Sequence, residues 1–500
     1  MDEHCNDADY AEPFLTRAAV AQSIAGGGDG RSGRGFARKG KAGRRGNTAS
    51  ALRRDEGKAR RQQCPRSSHA HLGAAPPERD VLAMIKASSE DRIENLIPLR
   101  YSRMLESPFA FFRGSAIVQA SDLARSPNSG IEVQACGDCH LMNFGGFATP
   151  ERNLVFDVND FDETFPAPWE WDVKRLCTSV VLAARWRGFS TAQQREAANA
   201  TAARYRQMAN AYADMSTIDV WYSNVSLANI REQIEGNRKF ARLFKTDVKR
   251  AQRSTSEHVY DKIIGVQNGS VRIIDQPPLL FHTKDDLHAA GRAFFEQYVA
   301  TLREDLRTLL RRYRVADAAM KVVGVGSVGT RCYVLLLLDE QNEPFFLQVK
   351  EARRSVIEDY AAPSAWQNHG ERVVTGQRLM QAVSDIFLGW SRDPHGRDFY
   401  VRQLRDAKIA IELDMLDASG LVLYGRACGS VLARAHAKAG QAPPIAGYIG
   451  SSTAFDDAIE KYALAYADQV EHDYEKFQSA ERKGEIPTGS SAPLVETRFS

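Results

Sequence analysis

The sequence of 500 residues contains no run of eighteen apolar residues, so no segment is long enough to cross a bilayer as a helix. Its first thirty residues lack the apolar centre of a secretory signal peptide, which argues against Sec-type export. Cysteine is sparse, with 7 scattered residues. That is too few for a disulfide framework at this length, and reduced thiols in a cytoplasmic protein are the expectation. No internal repeat is visible. What remains is 43% hydrophobic, 26% charged and 9% aromatic, a composition that fits several domains or one large two-lobed enzyme.

The net charge of +3 hides an uneven distribution. Residues 31–66 hold thirteen Lys and Arg against Asp55 and Glu56, an excess of eleven, so the remainder of the chain carries −8. The stretch GGGDGRSGRGFARKGKAGRRGNTASALRR has almost no apolar side chains to bury, so residues 1–78 are expected to form a disordered basic extension. Such an arm suits nucleic acid or a membrane surface. The plainer alternative is a solvated extension ahead of Met84. The tail 479–500 is expected to be flexible.

Between these ends the periodicity predicts a helical catalytic lobe over 79–317, a β-rich lobe over 318–410, and helices over 411–478 that return to the first lobe. Within the first lobe, IEVQAC and NLVFDVND read as short strands on either side of a loop.

That loop, ACGDCHLMNFGG at 135–146, admits three readings. Its C-x-x-C-H is the string of c-type haem attachment, and Cys136 with Cys139 would also suit a redox or zinc pair. Haem leaves the flanking segments unexplained, and no second C-x-x-C supplies further zinc ligands. The third reading is phosphoryl transfer. This chemistry needs a carboxylate to orient the acceptor hydroxyl and an amide oxygen on a metal, and Asp138 with Asn143 can supply both.

Three further segments favour the third reading. VFDVNDFDETFPAPWEWD is a strand ending in carboxylates, and Asp157, Asp160 and Asp162 are hard-oxygen candidates for Mg2+. The sixteen residues between Asn143 and Asp160 suit a hairpin that brings the two loops together. Gly324, Gly326 and Gly329, with Ser327 among them, form G-x-G-x-x-G between two strands, where backbone N–H groups approach a triphosphate closely. Lys350 ends the next strand, and Glu371 follows twenty-one residues later on a helix, a suitable distance for a Lys–Glu ion pair. Arg113 in FFRG could hold phosphate or form a structural salt bridge. Trp169 and Trp171 read as core anchors and His436 as a packing residue.

The order of these parts is inverted. A kinase places its glycine loop and lysine first, whereas here the catalytic and metal loops precede them by nearly two hundred residues. The helix VLARAHAKAG, which would lead into a catalytic loop, comes near the end. A circularly permuted chain explains this order.

SPFAFFRG, CGDCHLMNFGGF and VFDVNDFDETFPAPWEWDVKRL resemble the bacterial domain-of-unknown-function 2252 family, from about Leu96 to Phe477. That family is in turn remotely similar to protein kinases and aminoglycoside phosphotransferases, whose block reads H-G-D-x-H-x-x-N and then D-x-D. The resemblance implies a two-lobed, kinase-like α+β fold. It places Asp138, His140 and Asn143 in the catalytic loop, Asp160 on the metal, Asp162 as the second acid and Asp172 as a buttress of the loop. Cys136 stands where such enzymes carry His, a departure from the pattern. The expected activity is phosphoryl transfer from ATP, with Mg2+, to a hydroxyl of an unidentified acceptor read by residues 190–315. A non-catalytic nucleotide-binding scaffold and nucleotidyl transfer at the same site are the alternatives.

Overall fold

A computed structural model describes residues 47–74, 78–227, 230, 237–253, 263–267, 269–277, 279–282, 287–322, 324–361, 363–404, 409 and 411–489. The chain is an α+β protein in which a helical body carries a β-rich lobe. The body begins with α1 (Asn47–Ala59), α2 (Val81–Ala87), α3 (Ile97–Met104), α4 (Pro108–Gly114) and α5 (Ala116–Leu123). Four short strands follow: β1 (Glu132–Ala135), β2 (Phe144–Ala148), β3 (Leu154–Val158) and β4 (Phe165–Pro168). They pair antiparallel as β1 with β4 and β2 with β3, the second being the hairpin expected between Asn143 and Asp160. Next come α6 (Trp169–Trp186), α7 (Thr191–Ala213), α8 (Thr217–Tyr222) and α9 (Arg238–Arg253). Nearly all of α6 is buried, which marks it as the central helix of the body. Its charged members Asp172 and Arg175 must therefore find internal partners.

The β-rich lobe contains β5 (Ile264–Gln267), β6 (Ser270–Ile273), β7 (Leu280–Phe281), α10 (Leu287–Ala300), α11 (Glu304–Leu310), β8 (Arg314–Lys321), β9 (Cys332–Leu338), β10 (Pro344–Glu351), α12 (His369–Met380), β11 (Gly389–Arg392) and β12 (Asp398–Gln403). Six of these strands form one antiparallel sheet in the order β11-β12-β10-β9-β8-β7. The run CYVLLLL is apolar throughout because both faces of β9 are covered. Leu335 and Leu337 pack with Tyr298 of α10 and Leu302 just beyond its end, whereas Val334, Leu336 and Leu338 pack with Ile273 of β6. By the same alternation Phe346, Gln348 and Lys350 of β10 share the β6 side. Their cross-strand neighbours on β12 are Tyr400, opposite Lys350, and Arg402, opposite Gln348. One face of the sheet thus turns from apolar to cationic toward its edge. The sheet also draws in β7 and α10, so part of 190–315 belongs to this lobe.

The last helices are α13 (Ala418–Lys438), α14 (Ala442–Ile449) and α15 (Ala454–Arg482). Here the expected disorder of residues 1–78 needs correcting for residues 47–74; residues 1–46 lie outside the described residues. The arginines of this stretch act as caps for carbonyl groups that helix ends leave without partners. Arg53 donates to the Gly440 carbonyl at 2.9 Å, Arg61 to the Tyr448 and Gly447 carbonyls at 2.8 and 2.6 Å, and Arg66 to the Ile449 carbonyl at 2.7 Å. Arg54 pairs with Asp214 at 2.6 Å. His69 is fully buried, and its Nε2 lies 2.7 Å from the Tyr448 hydroxyl. Of the expected flexible tail, Ile486 is also buried, and residues 490–500 lie outside the described residues.

Two glycines let α1 cross α14. A Cβ on Gly57 would stand 1.9 Å from the Pro444 carbonyl oxygen, and one on Gly447 would stand 2.0 Å from that of Arg54. Gly447→Ala therefore forces the helices apart and is expected to destabilise the protein by about 1–3 kcal/mol. Chemical denaturation measures the loss, and limited proteolysis should cut between residues 47 and 74 sooner than in the parent protein.

Candidate functional site

The loop Cys136–Asn143 is set by α6 beneath it. Asp172 accepts hydrogen bonds from the backbone N–H groups of Cys136 and Gly137 at 2.7 and 3.0 Å, which fixes the start of the loop. His436 of α13 reaches Asp172 at 3.1 Å through Nε2, while its Nδ1 lies 2.7 Å from the Tyr205 hydroxyl. Gly137 has φ +88°, and a Cβ there would meet the Glu163 carbonyl oxygen at 2.2 Å, so only glycine fits. The Asn143 side chain donates through Nδ2 to the Asp138 carbonyl at 2.6 Å, leaving its Oδ1 available. The Asp138 carboxylate accepts from Arg175 at 2.5 Å, and Arg175 is itself fixed by Gln119 and the Phe112 carbonyl. Burial pushes the Asp138 pKa up, and the Arg175 and Arg113 guanidiniums pull against that rise. His140 is buried with Nε2 3.7 Å from Asp138; burial, then Arg113 and Arg175, hold its pKa well below the usual value, so its ring is neutral.

The acidic loop after β3 meets the sheet at Asp162. Lys350 Nζ lies 2.9 Å from the Asp162 carboxylate and 3.7 Å from that of Asp160. The Tyr400 hydroxyl donates to Asp162 at 2.6 Å and Ser327 Oγ reaches it at 3.4 Å. Burial acts to raise the pKa of Asp162, but Lys350 and the Tyr400 hydroxyl bring it below the ordinary value. Burial and the Asp162 charge push Asp160 up. Lys350 is held well above its usual pKa, since Asp160 and Asp162 outweigh burial, and it stays an ammonium. Arg402 adds a second cation beside the lysine, bonded to Gln348 at 3.0 Å. Gly326 packs against Arg113, whose carbonyl would lie 3.3 Å from a Cβ at that glycine; Gly329 has φ +86°, and Gly324 is open to solvent.

Asp138, His140, Asn143, Asp160, Asp162, Ser327 and Lys350 are therefore gathered in one region, together with the glycine turn. Glu371 is not part of it. Lys350 makes its ion pairs with Asp160 and Asp162, and none to Glu371 forms. Glu371 sits in the first turn of α12, where its N–H is capped by Asn368. The next residue, Arg372, points inward instead, donating to the carbonyls of Thr164 at 2.5 Å and of Asp162 and Arg353 at 2.8 Å each. Asp157 is also excluded as a metal ligand, because Arg434 bonds it at 2.9 and 3.1 Å deep in the core. Cys136 and Cys139 are buried, and burial pushes the Cys139 thiol well above its usual pKa. Thiols enclosed in this way cannot hold haem, and among the described residues no group of three or more His, Cys, Asp or Glu is arranged to hold a metal ion. Trp169 and Trp171 are core residues as expected.

Sequence reasoning passed over Arg175, Arg372, Tyr400 and Arg402. Three of these carried a usable signal. Arg175 lies three residues after Asp172 on one helix, so both reach the same loop. Tyr400 and Arg402 lie two apart on a strand and so share the face of Lys350.

No helix among the described residues is long and apolar enough to cross a membrane. No curated protein and no solved structure matches the chain. Residues 92–480 match the family described as "Uncharacterized protein conserved in bacteria (DUF2252)", and the chain belongs to that family.

Proposed function

We propose that the chain is a kinase-like phosphotransferase with circularly permuted lobes, using Mg-ATP to modify a hydroxyl on a small molecule or a protein. The observation that carries this reading is the meeting at Asp162 of Ser327 from the glycine turn and Lys350 from β10, at 3.4 and 2.9 Å. These residues lie 165 and 188 positions from Asp162 in the sequence. The place of α13 supports the permutation: it runs beneath the catalytic loop, where Tyr424 donates to the Leu141 carbonyl at 3.0 Å and His436 meets Asp172.

In this reading Asp138 orients the acceptor hydroxyl and takes its proton, and Lys350 and Arg402 face the nucleotide phosphates. Asp160, Asp162 and the Asn143 amide oxygen fit Mg2+, a hard ion that is commonly held by one or two carboxylates, waters and substrate phosphates. Both carboxylates keep open surface, with side chains 36% and 27% exposed. When bound, the ion would neutralise charge on the phosphates. Arg372 holds the acidic loop on α12, whereas the expected partner Glu371 would have fixed Lys350. The engagement of Asp138 by Arg175 is the feature that favours a non-catalytic nucleotide-binding protein, and α-phosphate transfer would instead indicate nucleotidylation.

Mg-ATP is expected to raise the melting temperature by a few degrees at concentrations about a hundredfold above Kd, equivalent to about 2.7 kcal/mol. Lys350→Ala should abolish the shift, and so should EDTA; equal shifts with and without Mg2+ would count against the metal assignment. With γ-labelled ATP and a bacterial lysate as acceptor, label should enter a product. Asp138→Asn should cut that rate by about 10²–10⁴ while leaving the thermal shift in place. Transfer that persists in this variant would remove Asp138 from the mechanism.

A further inference from the structure

Among the described residues, Arg113 is a cation beside the site whose side chain has no hydrogen-bond or ion-pair partner. Its neighbours are spoken for: Arg92 donates to the Val328 carbonyl, Arg175 to Asp138, Arg372 to three carbonyls and Arg402 to Gln348. The Arg113 side chain makes no hydrogen bond or ion pair among the described residues, and its Nε is buried. Its backbone, by contrast, is fixed on both sides. The Phe112 carbonyl accepts from Arg175 at 3.0 Å and the Gly114 carbonyl from Arg100 at 2.8 Å. Ser107 caps the start of α4, and Phe109, Phe111 and Phe112 bury its sides. The structure thus holds a half-buried arginine whose enclosed Nε has no partner, an arrangement that costs stability.

The surroundings define what would compensate. The Arg113 charge acts on Asp138 and on His140, and Glu106 is the other acid that it feels. Its carbonyl lies directly under Gly326. The glycine turn is tied down at this spot, with the Gly329 carbonyl accepting from the Ile93 N–H at 2.8 Å and the Val328 carbonyl from Arg92 at 2.6 Å. The guanidinium therefore belongs to the space between the turn that would cover a triphosphate and the carboxylate that would face the acceptor. In the nucleotide-binding reading, the group passing through that space would be the terminal phosphate.

We propose that Arg113 is the residue that binds the γ-phosphate and makes the site select nucleoside triphosphates over diphosphates. The proposal rests on the nucleotide-binding reading above and names a specificity-determining residue within it. The planar, permanently charged fork suits a phosphate with several free oxygens better than a lysine would. A diphosphate, held by Lys350 and Arg402, leaves Arg113 without a partner.

Calorimetry on the full chain tests this with two probes, Mg-AMP-PNP and Mg-ADP. The parent protein should bind the triphosphate analogue at least tenfold more tightly than ADP. Arg113→Met, which keeps the length and removes the charge, should bring the two affinities within about twofold of each other and leave that for ADP unchanged. The ligand-free variant should melt no lower than the parent, because the enclosed Nε that lacks a partner has been replaced by an apolar group; a purely structural arginine predicts a clear fall instead. Should Arg113→Met fold poorly, its instability overturns the proposal, and Arg113→Gln provides an independent affinity comparison. A tenfold triphosphate preference that survives in either variant also overturns it. If the parent protein binds ADP but shows no such preference, this proposal fails and the nucleotide reading stands; if it binds neither probe, both fail.

Discussion

Asp162 is the joint of the molecule. A single carboxylate, from a loop of the helical body, takes hydrogen bonds from a lysine, a tyrosine and a serine that all belong to the β-rich lobe. The charge balance depends on all of them. Asp160 and Asp162 hold the almost fully buried Lys350 well above its ordinary pKa against desolvation, and Lys350 and Tyr400 hold Asp162 below its own. The same carboxylate that serves as a candidate metal ligand is thus also one of the contacts that join the lobes.

Beneath this joint a second layer carries no exposed chemistry and fixes the loops. Asp172, His436 and Tyr205 form a chain of hydrogen bonds under Cys136 and Gly137. Asp157 and Arg434 form a buried ion pair that ties β3 to α13, and Gln381 after α12 bonds the Val158 carbonyl. Buried pairs of this kind contribute little net stability, but removing one partner leaves an uncompensated charge, so they specify position more than they add strength.

Much of the site was legible because its chemistry is local. The glycines, the Asp–Asn spacing and the carboxylates closing a strand are each constrained by a few neighbouring bonds, and the G-x-G-x-x-G between strands and Lys350 at a strand end keep their meaning without tertiary information. What failed was what depends on helix rotation and on long-range docking. Choosing Glu371 over Arg372 as the inward residue of α12 is a difference of one position, about 100° around the axis, and charge pairing favoured the wrong neighbour. Asp157 looked like a ligand because its partner Arg434 lies 277 positions away. Low hydrophobicity made residues 47–74 read as unfolded, yet they dock by supplying arginine donors to helix-end carbonyls, an interaction that hydropathy does not register.

The crossing of Gly57 and Gly447 has a consequence for biosynthesis. Arg61 bonds the Tyr448 carbonyl 387 positions further along, so during synthesis it waits for a partner made that many residues later. At roughly 5–20 residues per second, that interval is about 20–80 s. Until residues 447–449 have been made, the arginine donors of this stretch lack the carbonyl partners that the folded chain gives them.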